Sequence, residues 1–529
     1  MRIMEYLIGL LPFFLVAVSV IILLIPILNK SWKSQRLVEL LSLTTSGIAV
    51  IMSLLVLINV VENRVVSYRF AGFKPPLGIV YTVDLLSSLL GFLSMTALFL
   101  TVLYSKWFII SEWKYLYYSL LFLLSAGSIS CFYTGDIFNL FVSIELLSIS
   151  AYGLVAFYRS KPTAIVASLR YAMTGIVATS IYFFAVVLIY SAFGTLNMAD
   201  IALKLRNPNA ITPFSQSVLG DIVLTSKIAF SLMVWVFLFK TGILPIGFTW
   251  QPHVYSEAPL PISAGFTAIA DSIGIYLFMR FFTTILGWGV IEELVVFRIT
   301  LFSFIQVLAI ISAFISVLLM IVEKDIKKLI TYSTISQFSL ALLGITLDNV
   351  FGVVSAILLL ISNILGDAVL FYLAGLLIIG CGRSINCIAV LKNSKSMVFS
   401  LVVAILNLFG VLPVTIGFWG KALLVLAGIN KSITLPIIVL VVSGISAIGY
   451  FKLLHVMYTY KAVTRSDQEL RNTVIPKTII LLLSTTLIVL GLLFTLYEPF
   501  RIFIINVGED LLGNYREYIV KSIGVEGLI

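Results

Sequence analysis

Apolar residues run along nearly the whole chain in stretches of about 20, the length a helix needs to cross a bilayer. Fourteen such stretches fall at approximately 7–28, 37–61, 77–104, 115–133, 137–158, 164–192, 226–250, 259–286, 299–322, 327–346, 350–379, 397–429, 433–460 and 477–497. Inside lipid every backbone donor and acceptor must be paired within its own segment, which leaves the helix as the form for each stretch. The expected fold is an all-α polytopic membrane protein with about 14 transmembrane helices. With 529 residues, 60% hydrophobic and 11% charged, the chain is too apolar for a soluble core to absorb.

The first stretch follows a single basic residue, Arg2, and ends in IPILNK without a small-residue cleavage site. It is also too long for a signal h-region, so it reads as a retained helix. Arg and Lys gather in alternate connections: Lys30, Lys33 and Arg36; Arg159 and Lys161; Lys324, Lys327 and Lys328; Arg383, Lys392 and Lys395; Lys461, Arg465, Arg471 and Lys477. The positive-inside rule makes these connections cytoplasmic and puts both chain ends outside, in a multi-pass protein of the cell membrane. The net charge of +10 then reflects topology and contact with the lipid bilayer, and no nucleic-acid partner is expected.

Cys131, Cys381 and Cys387 lie in or beside apolar stretches and read as small buried hydrophobes. With His253 and His455 the only histidines, no spacing suits a metal or haem, and no cofactor is expected. The longest polar stretches, 193–221 and 461–476, are far shorter than a domain of about 100 residues. A nucleotide, flavin or iron-sulfur module has no room here, so no catalytic centre is expected, and energy must come from an ion gradient or from partner subunits.

Two stretches cannot be straight helices. GILPIGFTW (Gly242–Trp250) and GVLPVTIGFW (Gly410–Trp419) resemble each other, and each places proline among glycines inside an apolar run. Proline removes a backbone donor and clashes with the preceding turn, while glycine lets the chain bend. Both helices are expected to break, with Lys240 before Pro245 and Lys421 after Pro413. Paired broken helices at corresponding points of two halves mark the transport site of internally repeated folds; a kink that serves packing is the plainer reading.

Glu145 (FNLFVSIELLSISAYGLVAF) and Lys240 (SLMVWVFLFKTGILPI) are charges inside apolar runs, where an ionisable group costs at least a few kcal/mol and lines an ion path or a buried pair. Burial favours the neutral form of each, and approach of the partner restores the charges, so a Glu-Lys pair loads and releases a proton as a unit. A static buried salt bridge is the competing reading. Asp271 and Asp367 sit deep in SAGFTAIADSIGIYLFMR and LLLISNILGDAVLFYLAG, and a buried aspartate needs a partner, a proton or a cation. Asp84 and Asp136 stand near helix starts, where they either cap or join the path. Arg170 either neutralises Glu145 or snorkels to the interface. Asp325, Lys327, Lys328 and Lys227 read as interface anchors, and Lys452 with His455 as either a late relay element or interfacial packing. The segment after Glu498 reads as an interfacial helix, a partner contact or a mobile tail.

With these residues in place, the chain resembles the antiporter-like subunits shared by respiratory complex I, Mrp-type cation/proton antiporters and archaeal membrane-bound hydrogenase-like complexes, and among these the D-type Mrp subunit. The motifs are PPLGIVYTVDLLSSLL (Pro75–Leu90), TGDIFNLFVSIELLSISAYGL (Thr134–Leu154), FKTGILPIGFTWQPHVYSEAPLPISA (Phe239–Ala264), DIKKLITYSTISQ (Asp325–Gln337) and FGVLPVTIGFWGK (Phe409–Lys421). The resemblance implies two inverted five-helix repeats, which divide the chain into 1–113 (helices 1–3), 114–290 (first repeat), 291–460 (second repeat) and 461–529 (helix 14 and an interfacial segment). It implies other membrane subunits as partners, and protons or sodium as cargo.

By the same resemblance Glu145 matches the family's segment-five glutamate, Lys240 its segment-seven lysine, Lys421 the segment-twelve charge that leads to the exit, and Arg170 a frequent basic position. The chain departs from the family at Ser272 (with Asp271 beside it), where a segment-eight lysine is usual. Asn363 and Asp367 stand where histidine and lysine are usual, and His253 replaces an acidic residue. Two expectations follow. In the first, the chain is a proton- or cation-translocating subunit with a Glu-Lys switch and a lateral polar relay of altered charge. In the second, it is a structural or coupling paralogue that no longer completes translocation.

Overall fold

The computed structural model describes residues 2–28, 32–210, 220–460 and 473–524. Helices α1 (Arg2–Leu28) and α2 (Trp32–Asn63) lead into a two-stranded hairpin, β1 (Val66–Arg69) and β2 (Val80–Val83). Then follow α3 (Leu85–Phe108), α4 (Lys114–Tyr133), α5 (Ile137–Val155), α6 (Pro162–Phe193) and the short α7 (Met198–Arg206). The first break separates α8 (Ile222–Thr241) from α9 (Gly247–Glu257). The next crossing, Leu260–Ile285, is continuous but contains α10 (Leu260–Phe266) and α11 (Ser272–Met279), with a wider π-helical stretch from Thr267 to Asp271 between them. After α12 (Glu292–Val322), α13 (Ile326–Thr346) and α14 (Val350–Gly380), the second break separates α15 (Lys395–Phe409) from α16 (Ile416–Ile429). The chain closes with α17 (Thr434–Thr459), α18 (Val474–Leu496), α19 (Glu498–Gly513) and α20 (Tyr515–Ile523).

Thirteen helices among the described residues are long and apolar enough to cross a membrane, and the α15–α16 pair supplies a fourteenth crossing. The protein is thus an all-α polytopic membrane protein with two broken helices. An even number of crossings returns the chain to the side it started from, and Glu5 lines the same cleft as Asn63, Arg69 and Lys521. The Leu260–Ile285, α13 and α14 crossings are buried over 94–100% of their most apolar windows, whereas α1, α2, α6, α12, α17 and α18 are 39–44% buried and present apolar faces outward. A helix that is apolar all round belongs at the centre, and the central helices carry the unusual polar residues.

Three expectations are corrected. Residues 77–84 do not begin the third crossing: the Pro75-Pro76 pair disfavours a helix there, and the β-branched and aromatic run Val80–Val83 pairs with β1 in the register Val66↔Val83 to Arg69↔Val80. Asp84 then caps α3 through the Ser87 backbone. Cys381 and Cys387 are not free buried thiols. The chain turns at the end of α14 and brings their Cα atoms to 5.7 Å, within disulfide range, and the two are bonded; Cys131 is free and buried. Finally, the described part of the C-terminal segment is not a mobile tail: Ser67 Oγ donates to the Lys521 carbonyl at 2.9 Å, Thr82 Oγ1 to Ser522 Oγ at 3.0 Å, and Arg64 pairs with Asp510 at 3.0 Å. The basic positions Lys30, Lys461, Arg465 and Arg471 lie outside the described residues.

Candidate functional site

Both breaks start the same way. Gly242 and Gly410 end α8 and α15 in the left-handed region, at φ 69° and 72°, where a side chain is strained. At Gly242 a Cβ would also collide with the Gln251 side chain, which folds into the break from α9. The backbone carbonyls at the end of each first half-helix carry the negative end of its dipole, and a lysine stands at each. Lys240 lies in the last turn of α8 and donates to Ser148 Oγ on α5 at 2.7 Å. Lys421 lies on α16 but reaches back, donating to the Leu408 and Phe409 carbonyls of α15 at 2.9 Å each. Both side chains are buried.

Between them runs a row of buried polar groups. Asp271, at the end of the π-helical stretch, accepts on one oxygen from Gln251 Nε2 at 2.6 Å and from the Tyr255 hydroxyl at 2.7 Å. The Tyr255 hydroxyl lies 3.5 Å from Thr267 Oγ1, which donates to Asp367 Oδ2 at 3.2 Å. Thr334 Oγ1, on α13, approaches the same oxygen at 2.6 Å. Three residues further along α13, Gln337 donates to the Leu408 carbonyl at 2.8 Å, the carbonyl that Lys421 also caps. The row thus lies between the two breaks through Asp271 and Asp367, with Lys240 bonded to Ser148 and not to Asp271, and with Thr334 and Gln337 joined only along α13.

Several residues singled out in the sequence lie elsewhere. Glu145 is partly exposed on α5 and forms no ion pair with Lys240 among the described residues; Lys240 instead holds Ser148, one turn further on the same helix face. Arg170 is exposed on α6, shares a surface groove of about 600 Å³ with His253, and is not paired with Glu145. Ser272 donates to the Ala268 carbonyl of its own helix at 2.7 Å, so Asp271, not Ser272, meets the row. The Asn363 amide is fully buried beside Asp367. Asp136 and Asp325 cap α5 and α13. Lys452 caps the last carbonyls of α12 while His455 is exposed, so neither joins the row.

Lys327 is not an interface anchor: it is buried and donates to the Ala258 carbonyl at 2.7 Å, at the end of α9, because α13 packs directly under that helix. Nearby, Arg383 binds Glu257 at 2.8 Å. Burial raises the Glu257 carboxyl, but the guanidinium outweighs it and holds the group below the usual carboxylate range. Stability from this tie is present above the ordinary carboxylate pKa and is lost only as pH falls through the lowered value.

Sequence reasoning missed the links of the row: Gln251, Tyr255, Thr267, Thr334 and Gln337. The one available signal was the hydroxyl- and amide-rich TYSTISQ inside an otherwise apolar helix.

Two broken helices, each with a lysine at the break and a buried polar row between them, define an ion-antiporter-like membrane subunit. The family described as NADH:quinone oxidoreductase/Mrp antiporter, TM matches residues 134–449, and the chain belongs to it. It is 28% identical over 489 residues, 90% of this chain and 94% of the relative, to the D-type subunit of the Na(+)/H(+) antiporter of Alkalihalophilus pseudofirmus. It is 27% identical over 476 residues, 86% of each chain, to the N-type subunit of the NADH-quinone oxidoreductase of Desulforudis audaxviator. Among solved structures, a chain of the membrane-bound sulfane sulfur reductase, an archaeal respiratory membrane complex, superposes with a TM-score of 0.81 at 25% identity, covering 96% of this chain and 99% of that one. A chain of the Mrp complex from Dietzia sp. DQ12-45-1b shares the fold, with a TM-score of 0.82 at 19% identity over 99% and 100% of the two chains. These relatives are parts of multisubunit membrane complexes, and this chain shares their family and their fold.

Proposed function

We propose that the chain translocates protons or cations within a multisubunit membrane complex, and that the charge moves laterally along the buried row from Lys240 to Lys421. The observation that supports this reading is the run of buried polar contacts through Asp271, Tyr255, Thr267, Asp367 and Thr334, with Gln251 at its start beside the first break and Gln337, one turn along α13 from Thr334, on a carbonyl of the second. Glu145 and Ser148 lie three residues apart on one face of α5. Lys240 switches between them: on Ser148 it is held by a neutral acceptor, and on Glu145 its charge is stabilised. The run of basic connections on alternate sides supports an orientation in the cell membrane with both chain ends outside.

Tyr255→Phe keeps the ring packing and removes the hydroxyl between the two aspartates. It is expected to slow ion uptake by proteoliposomes holding the assembled complex by at least about tenfold, a floor set below the roughly 100-fold effect of one positioned acid–base group. A coupling subunit without its own path is the second reading, favoured by the Ser272 hydroxyl turning into its own helix. That reading predicts the wild-type rate for Tyr255→Phe.

A further inference from the structure

Asn363 and Asp367 lie four residues apart on α14, both wholly buried and on one face. The Asn363 amide faces Asp367 closely enough to act on its carboxylate, yet neither its oxygen nor its nitrogen makes a hydrogen bond of full geometry, and Asp367 makes none at Oδ1. A buried polar group without a partner costs on the order of 1–3 kcal/mol, so two adjacent ones point to a ligand. On its other oxygen Asp367 accepts from Thr267 and Thr334. A hydroxyl that donates its one proton to a carboxylate keeps its lone pairs free. Thr334 Oγ1 also stands 3.0 Å from the Ile330 carbonyl, and the Asp367 contact at 2.6 Å is the shorter.

We propose that Asp367 Oδ1, the Asn363 amide oxygen and the Thr267 and Thr334 hydroxyl oxygens bind a dehydrated monovalent metal cation, Na+ or K+. The ligand chemistry sets the class. All four donors are oxygens, which suit hard cations. Asp367 is the one carboxylate among them, so its single charge balances a monovalent ion and leaves a divalent one uncompensated. Asp271, reached through Tyr255, is the next carboxylate along the row and the place to which the charge could pass. The site rests on the reading of the row as an ion path and names what would occupy its middle.

The test is thermal unfolding of the full-length purified chain at constant ionic strength, with choline chloride replaced stepwise by NaCl and, separately, by KCl. A ligand that binds only the folded state raises the unfolding midpoint as its concentration grows. The midpoint is expected to rise with Na+, K+ or both relative to choline, and Asp367→Asn and Asn363→Leu are each expected to raise the half-effect concentration at least tenfold. Identical curves in NaCl, KCl and choline for the wild-type chain overturn the proposal even where the variants do not fold. A metal-ion response retained unchanged in both variants overturns it as well. Binding is read here without flux, so the two readings fail separately. A salt response in a chain whose Lys240→Ala variant transports normally would remove the ion path and leave the site. Loss of transport in Lys240→Ala with no salt response in the wild type would remove the site and leave the path.

Discussion

Lys240→Ala is expected to abolish ion movement by the assembled complex while leaving assembly intact. The ammonium is buried, and its one hydrogen bond among the described residues is to Ser148, a neutral acceptor. Removing a charge that is desolvated without an ion partner within 4 Å relieves a penalty as well as losing a bond, so the fold has little to lose. The surrounding packing does not depend on it: Trp250 stacks on Tyr171 with ring centroids 4.3 Å apart, and Phe239 tilts against Trp250 at 5.2 Å. The row, however, has no other cation at the first break among the described residues. Co-purification of the partner subunits with a tagged variant measures assembly, and ion uptake after a pH or sodium jump measures transport. Transport at the wild-type rate would remove Lys240 from the path.

Arg280→Ala is expected to produce a large loss of stability, about 3 kcal/mol, the low end of the cost of removing one partner from a buried ion pair. Arg280 is 1% exposed and binds Asp84 at 2.7 Å. Its guanidinium also lies 4.7 Å from the centre of the Tyr518 ring, so a single side chain ties the Leu260–Ile285 crossing to α3 and α20. Asp84 is 12% exposed and keeps its capping bonds with Ser87, which limits the damage to the low end. The unfolding midpoint should fall, and hydrogen exchange over Tyr515–Ile523 should rise as Tyr518 loses its contact. A variant with both unchanged would show that the pair contributes nothing net. The same measurement on Asp84→Asn separates loss of the ion pair from loss of the cap.

The fourteen crossings and both breaks were legible because lipid imposes length and polarity on each segment, and because proline beside glycine leaves a helix few alternatives. Lys240, Asp271 and Asp367 stood out for the same reason, since a charge in an apolar run is conspicuous; Glu145 stood out equally and lies off the row. Tyr255, Thr267 and Thr334 were not, since a hydroxyl can satisfy itself on its own helix, as Ser272 does, and only packing between helices decides which one turns outward. The β-hairpin was hidden because Val80–Val83 is as apolar as the helix that follows it. The disulfide depended on a turn of six residues that no periodicity reveals. The position of the Lys240 side chain, on Ser148 and not on Glu145, is a one-turn choice along α5 that spacing leaves open.

In the proposed mechanism one path joins the two breaks, and Lys421 stands at its far end, held by the Leu408 and Phe409 carbonyls. Ion uptake by proteoliposomes containing the assembled complex with Lys421→Ala tests that claim without touching Lys240, Asp271 or Asp367. A single path predicts that transport stops as completely as in Lys240→Ala; uptake at the wild-type rate would contradict it.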